Sequence, residues 1–394
     1  MQITICGGGN AAHTLAGLLG ARHGYRVHIF SPFRDEVQSW QAGISANGGI
    51  TAHLNGKVIV GRPQRVSADP AEVVPGSSLV LLALPAFAHE SILRQITSHL
   101  KQGAWVGALP ARGGFDLCAR EVLDHQSRSL TVFGLQTLPW ACRIEHYGQR
   151  VRILGVKAQV DLAASPPGRA GETAAVLQAL LGISLQPADS FLGITLANAG
   201  QILHPGLMFG LFGSWKGELY SQAPIFYQGV SAATTNLLQQ LSAEIQSLRH
   251  SLQTCFPHID FSVVRPLHDW ARRAYANDIT DASSLQSCLA TNRSYADLTA
   301  PMRPVEGGLV PDFKTRYLSE DVPFGLVVTR GIAELAGMAT PVIDEVILWA
   351  QERLGQEYLV NGKLQGRDLQ ATRAPQRYGI KSLEELIDSV QYRG

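Results

Sequence analysis

The sequence predicts two parts, an α/β half over residues 1–190 and an all-α half over residues 191–394. Two observations carry this. In the first half, short all-apolar runs such as Leu79-Val-Leu-Leu-Ala-Leu84 alternate with helical runs. Strands that are apolar on both faces belong in a parallel sheet covered by helices on each side. From about Leu192 onward the strand-like runs give way to helical stripes.

The elements follow in order. Strands read at Ile3–Gly7, Arg26–Ser31, Leu79–Leu84, Trp105–Leu109, Leu130–Leu135 and Arg150–Val156, with helices at Ala11–Arg22, His89–Leu100 and Phe115–Leu123. Ile50–Leu54 and Lys57–Val60 flank Asn55-Gly56. That dipeptide supplies the positive φ angles of a type I′ turn, so an antiparallel hairpin is inserted there. Ser165-Pro-Pro-Gly168 is a loop, followed by a helix over Glu172–Leu181. Phe191–Gly213 is apolar enough to weigh as a membrane span. Thr195, Asn198, Gln201, His204 and Pro205 interrupt it, and no Lys or Arg flanks it. Those groups are costly in lipid, so the stretch reads as a buried helix lining a polar site. In Pro341–Leu354, Thr340 is placed to cap, Pro341 opens the helix, Asp344 and Glu345 lie near its positive end, and Gly355 ends it.

Composition narrows the function. The 394 residues are 45% apolar and carry a net charge of +1. A large core is available, and bulk electrostatic attraction to nucleic acid is excluded. Five scattered cysteines with no CxxC pair exclude a disulfide framework and a zinc knuckle, and fit reduced thiols in the cytoplasm. The opening Met-Gln-Ile-Thr-Ile-Cys reads as a strand with no basic leader.

Gly7-Gly8-Gly9-Asn10-Ala11-Ala12 follows the first strand and opens a helix, which is the setting G-x-G-x-x-G/A requires. Gly7 permits the turn, Gly9 lets backbone N–H groups approach a pyrophosphate, and Ala12 keeps helix and strand close. The unpaired N–H groups of the first turn, Asn10 included, face the anion. Residues 1–190 therefore form a Rossmann-like dinucleotide-binding domain. No carboxylate ends the second strand, so Ser31 and Arg34 are candidates to accept a ribose 2′-phosphate, which leans toward NADPH. Asp35 comes four residues late.

In the second half the candidate acid/base is His204. Thr195, Asn198, Gln201 and His204 recur every three residues, so neighbours adjoin on a helix. The bland alternative is a satisfied core histidine before Pro205. Asp321 precedes an apolar run and reads either as a helix cap or as a partner that fixes the imidazole tautomer. Arg316 is a surface residue or a carboxylate clamp. Thr137 and Cys142, in Thr137-Leu-Pro-Trp-Ala-Cys142-Arg143, follow a sheet strand at its carboxyl end, where nucleotide crevices form.

GGGNAAHTLAGLLGARHG, LPAFAHESI, TLPWACRI, HPGLMFG, APIFYQG, PDFKTRYLSEDVPFG, EYLVNGKLQGRD and TRAPQRYG, in that order along nearly the whole chain, resemble the octopine dehydrogenase (opine dehydrogenase) family. The resemblance implies NAD(P)H-dependent reductive condensation of an amino acid's amine with a 2-oxo acid, usually pyruvate. It implies a Rossmann domain followed by a helical substrate domain. A monomer or homodimer is expected, with small-molecule substrates, no membrane and no metal. His204 is similar to the family's catalytic histidine, Asp321 to its partner, and Arg316 to an arginine at the substrate carboxylate. Thr137 and Cys142 fall in a matched site segment. The resemblance moves the cofactor expectation to NADH, with Arg34 keeping NADPH open. Two departures bear on the amino donor: the small residues of Leu196–Leu203, and Arg112 in LPARGGF. Taurine, glycine and alanine are candidates, and Arg112 would favour an acidic amino acid. The alternatives are another two-domain dehydrogenase, acting on a hydroxy acid or glycerol phosphate, and a nucleotide-sensing protein without chemistry.

Overall fold

The computed structural model describes residues 1–123 and 130–390. They form two compact units: Met1–Ala111 with Phe115–Phe191, and Arg112–Gly114 with Leu192–Val390.

The first unit runs β1 (Gln2–Cys6), α1 (Asn10–Gly20), β2 (Arg26–Phe30), α2 (Arg34–Asn47), β3 (Ile50–Leu54), β4 (Lys57–Gly61), β5 (Arg65–Ser67), α3 (Pro70–Val73), β6 (Leu79–Leu82), α4 (Ala86–Ile96), β7 (Trp105–Ala108), α5 (Phe115–Leu123), β8 (Thr131–Leu135), β9 (Trp140–His146), β10 (Arg150–Val156), β11 (Gln159–Ser165), α6 (Ala170–Leu181) and β12 (Ser184–Pro187). The main sheet has the order β12-β11-β8-β7-β6-β1-β2-β5. Its strands from β8 to β5 pair parallel, and β11 runs antiparallel to β8. β1 sits at the point where the order turns, so its carboxyl end and the loop after it face a crevice of the kind that binds nucleotides. Ile3, Ile5, Leu79, Leu81 and Phe133 are fully buried in the core of this unit, as strands covered on both faces require.

The Asn55-Gly56 hairpin forms, with φ of 49° and 74° at the turn and Leu54 opposite Lys57. It is part of a second sheet, β4-β3-β10-β9. Arg150–Val156 therefore does not extend the main sheet. It pairs parallel to β3 and antiparallel to β9. Its alternating burial, with Val151 and Ile153 inside and Arg152 and Leu154 exposed, is that of a sheet with one covered face.

The second unit contains α7 (Phe191–Leu196), α8 (Gly200–Phe212), α9 (Ala232–Cys255), α10 (Leu267–Ala274), α11 (Leu285–Thr291), β13 (Met302–Val305), β14 (Gly308–Pro311), α12 (Arg316–Ser319), α13 (Val327–Leu335), α14 (Pro341–Leu354), β15 (Leu359–Val360), β16 (Lys363–Leu364) and α15 (Leu383–Val390). It is helical apart from two short hairpins, β13-β14 and β15-β16. A π-helical turn at Val322–Leu326 joins α12 to α13. The expected single helix over Phe191–Gly213 is broken at Ala197–Ala199. Gln201 explains the break: its Nε2 donates to the carbonyls of Thr195 and Leu196, ending α7 with side-chain bonds. α14 has its expected bounds, and Gly355 ends it at φ 68°. Its cap differs, because Thr340 makes no capping bond; Glu244 of α9 accepts from the Val342 and Ile343 N–H groups. No helix among the described residues is long and apolar enough to cross a membrane.

Candidate active site

The glycine loop is shaped by what lies against it. Gly7 has φ 128°, and a Cβ there would stand 2.6 Å from the Ala83 carbonyl oxygen, so only glycine fits. A Cβ on Gly9 would meet nothing within 4 Å. Gly9 also caps α1 without any side-chain hydrogen bond. The first-turn N–H groups are thus open to an anion, and the loop fits a dinucleotide pyrophosphate. Ala12 is fully buried against the sheet, as close helix packing requires. Asn10 contributes differently from expectation. Its Oδ1 accepts from the Ile144 N–H at 2.8 Å, tying α1 to β9, which leaves its backbone N–H as the group facing the loop.

The loop is braced by a neutral histidine. His13 Nε2 accepts from the Gly148 N–H at 2.9 Å, so Nδ1 carries the hydrogen and donates to the Gly9 carbonyl at 3.1 Å. Its ring stacks on Trp40 at 3.8 Å. Burial pulls its pKa down to about 4.

Ser31 and Arg34 do not form a phosphate pocket. Ser31 is fully buried and its hydroxyl donates to the Glu36 carboxylate, while Arg34 is exposed at the start of α2. A Cβ on Gly8 would collide with that carboxylate. α2 thus returns an acid to the end of β2 and lays it over the glycine loop. A 2′-phosphate would meet a like charge there, whereas a ribose 2′-hydroxyl would find an acceptor. Sequence reasoning weighed Asp35 and missed Glu36. The available signal was the Ser31/Glu36 spacing across a helix start.

Thr137 is half-buried in the bend after β8, at the carboxyl end of a sheet strand. Cys142 is not available to a substrate. It is 2% exposed on β9 within the core of its unit, and burial raises its thiol pKa, with Thr14 as hydrogen-bond partner. Its conformity to a site motif reflects packing.

In the second unit, α8 presents His204 and the segment between α12 and the π turn presents Asp321. His204 Nδ1 lies 2.7 Å from Asp321 Oδ2. Asp321 is 1% exposed and makes no helix-capping bond, so the cap reading of this residue does not hold. Its other oxygen accepts from Arg112 Nη1. Arg112 Nε donates to Glu320 Oε1 at 3.2 Å, and Glu320 Oε2 accepts from Arg316 Nε at 2.6 Å. The result is an alternating row, Arg316–Glu320–Arg112–Asp321–His204, inside one unit. A Cβ on Gly200 would lie 2.6 Å from Arg112 Nη1, so glycine there makes room for the row.

Arg112 has φ 61°, a left-handed conformation that costs a non-glycine residue on the order of 1–3 kcal/mol. Its side chain is only 10% exposed. Burial opposes its charge, and Asp321 and Glu320 overcome that, so its pKa is raised on balance. This corrects the expectation that Arg112 selects an acidic amino donor, because its charge is spent on two buried carboxylates. Arg316 is 56% exposed, with Nε held by Glu320. The polar stripe before His204 is structural. Thr195 accepts from the Gly114 N–H at 3.2 Å, Asn198 Oδ1 from the Gly200 N–H at 3.1 Å, and Gln201 Oε1 from Thr329 at 2.6 Å. Sequence reasoning also missed Tyr227, whose hydroxyl is 2.8 Å from His204 Nε2.

Comparison with known proteins decides the family. Residues 187–354 match the family model described as the NAD/NADP octopine/nopaline dehydrogenase, alpha-helical domain. Octopine dehydrogenase of Pecten maximus is 36% identical over 397 residues, covering 98% of both chains. The chain belongs to the opine dehydrogenase family. Tauropine dehydrogenase of Arabella iricolor is likewise 36% identical, over 98% of this chain and 99% of its own. The solved structure of octopine dehydrogenase with NADH and pyruvate superposes with a TM-score of 0.87 at 34% identity, covering 100% of this chain and 99% of the other. Opine dehydrogenase relatives therefore match this chain from end to end, in sequence and in fold.

Proposed function

We propose that this chain is an NADH-dependent opine dehydrogenase that joins the amine of an amino acid to a 2-oxo acid, with pyruvate as the expected acceptor, and reduces the product to a secondary amine. The observation that carries the reading is the His204–Asp321 pair at 2.7 Å, in a chain related end to end to octopine and tauropine dehydrogenases.

The roles follow from the chemistry of each group. Asp321 is an acceptor only, so it fixes the hydrogen on His204 Nδ1 and leaves Nε2 basic. His204 then removes a proton from the substrate ammonium group, which makes the amine nucleophilic, and returns protons as water leaves the condensing pair. Arg316, with its side chain more than half exposed, is the group we assign to the 2-oxo acid carboxylate. Gly7, Gly9, Ala12 and the N–H of Asn10 hold the dinucleotide, with Glu36 on the ribose in place of Ser31 and Arg34. When bound there, the reduced nicotinamide supplies the hydride. Thr137, in the bend at the carboxyl end of β8, is assigned to the substrate. Four of the five cysteines are buried at separate places in the fold, which suits thiols kept reduced in the cytoplasm.

A matrix of amino acids against pyruvate, glyoxylate and 2-oxoglutarate, followed by NADH absorbance, tests the reading. NADH should be consumed only where an amine and an oxo acid are both present. Consumption with no amine dependence at any oxo acid would overturn it.

A further inference from the structure

In this structure neither ring nitrogen of His204 is free. Nδ1 is held by Asp321 at 2.7 Å and Nε2 by the Tyr227 hydroxyl at 2.8 Å. A carboxylate cannot donate, so Nε2 of the neutral ring is the acceptor and Tyr227 O–H the donor. The nitrogen that must exchange protons thus faces a phenol.

We propose that Tyr227 is a proton relay for His204, with Tyr317 as the next member of the wire. The inference rests on the dyad assignment made above. Tyr227 is 5% exposed, and its ring stacks on Tyr295 at 4.0 Å and meets Phe226 edge-on at 4.8 Å. The hydroxyl cannot leave Nε2 without moving a packed ring. Tyr317 stacks on the imidazole at 4.2 Å and on Phe226 at 4.9 Å, which sets its phenol near enough to the Tyr227 phenol to raise that group's pKa. Tyr317 is only half-buried, so it is the outer end of the row. The transfer balances. As Nε2 takes the Tyr227 hydrogen, Tyr227 oxygen takes one from Tyr317, and Tyr317 takes one from the substrate or from water. One proton has moved inward and both phenols are restored. The reverse sequence delivers a proton. Burial, then Tyr317, Tyr275 and Asp321, hold the Tyr227 phenol well above its ordinary pKa. It therefore stays neutral, and works as donor and acceptor together.

The test compares Tyr227→Phe and Tyr295→Phe in the full-length enzyme. Both keep their rings and the stack, but only the first removes a partner of His204. Tyr227→Phe should lower kcat roughly 10- to 100-fold, leave the NADH Kd unchanged and alter the solvent deuterium isotope effect on kcat. Tyr295→Phe should keep kcat within about twofold, as expected of a residue outside the wire. Equal kcat for Tyr227→Phe and wild type, or equal losses in both variants, would overturn the relay. His204→Ala in the same assay separates the two ideas. If it is inactive while Tyr227→Phe is fully active, the relay fails and the dyad stands. If His204→Ala is itself fully active, the dyad fails and the relay with it.

Discussion

Asp321 reaches His204 across 117 residues of sequence and meets its Nδ1 at 2.7 Å. The carboxylate is anchored on its far side by Arg112, so it cannot rotate away to solvent. His204→Ala should lower kcat roughly 10²–10⁴-fold with NADH binding intact. Asp321→Asn is more informative, because an amide can donate to Nδ1 and so favours the tautomer with its hydrogen on Nε2. It should lose activity on a similar scale while the fold persists. Steady-state kinetics with an NADH titration checks both variants, and normal turnover in Asp321→Asn would remove the orienting role.

Arg112 should matter through the carboxylates it neutralises. Arg112→Met leaves Glu320 and Asp321 buried without their shared cation, and should destabilise the second unit by about 3–5 kcal/mol. Arg112→Lys keeps the charge but cannot span both acids with a fork, so it should fold and lose kcat. Neither change should alter the ranking of acidic against neutral amino donors. Urea unfolding and a donor panel read these outcomes, and a donor ranking that inverts in Arg112→Lys would restore Arg112 to the substrate.

Much of this was legible in the sequence, and the failures have physical causes. Strand β1, the Gly7–Ala12 loop, the Asn55-Gly56 turn and helix α14 follow from local rules of period, turn chemistry and capping. The placement of Arg150–Val156 in a second sheet did not, because pairing partners are set by tertiary packing. Glu36 escaped because a residue on the next helix can supply the acid that a strand end lacks. Arg112 was misjudged because a lone arginine in a glycine-rich turn carries no sign of the two acids 208 and 209 residues away. Cys142 shows the converse error, a motif residue placed by the core it packs in.

Glu36 gives the cofactor prediction. The wild-type enzyme should prefer NADH, since a carboxylate held by Ser31 over Gly8 repels a 2′-phosphate. Glu36→Gln should narrow the NADH-to-NADPH ratio of kcat/KM by roughly tenfold or more, mainly through a lower KM for NADPH. An unchanged ratio would place the ribose elsewhere.

His13 links stability to pH. Its pKa is about 4 in the folded protein against the ordinary imidazole value of 6.5, so between those values the unfolded chain binds the extra proton. Stability from neutral His13 is full above about pH 6.5 and is lost as pH falls toward 4, by about 3 kcal/mol in all. Urea unfolding at pH 7 and pH 5 should show a larger loss in wild type than in His13→Gln, which has no group to titrate there. Equal losses would assign the acid sensitivity to other groups.

The product itself separates reductive condensation from simple ketone reduction. The enzyme should be incubated with NADH, pyruvate and a nitrogen-15-labelled amino donor from the active pair, and the products analysed by mass spectrometry. One labelled secondary amine should form for each NADH consumed. A 2-hydroxy acid formed in that amount, with the label still in the free amino acid, would contradict it.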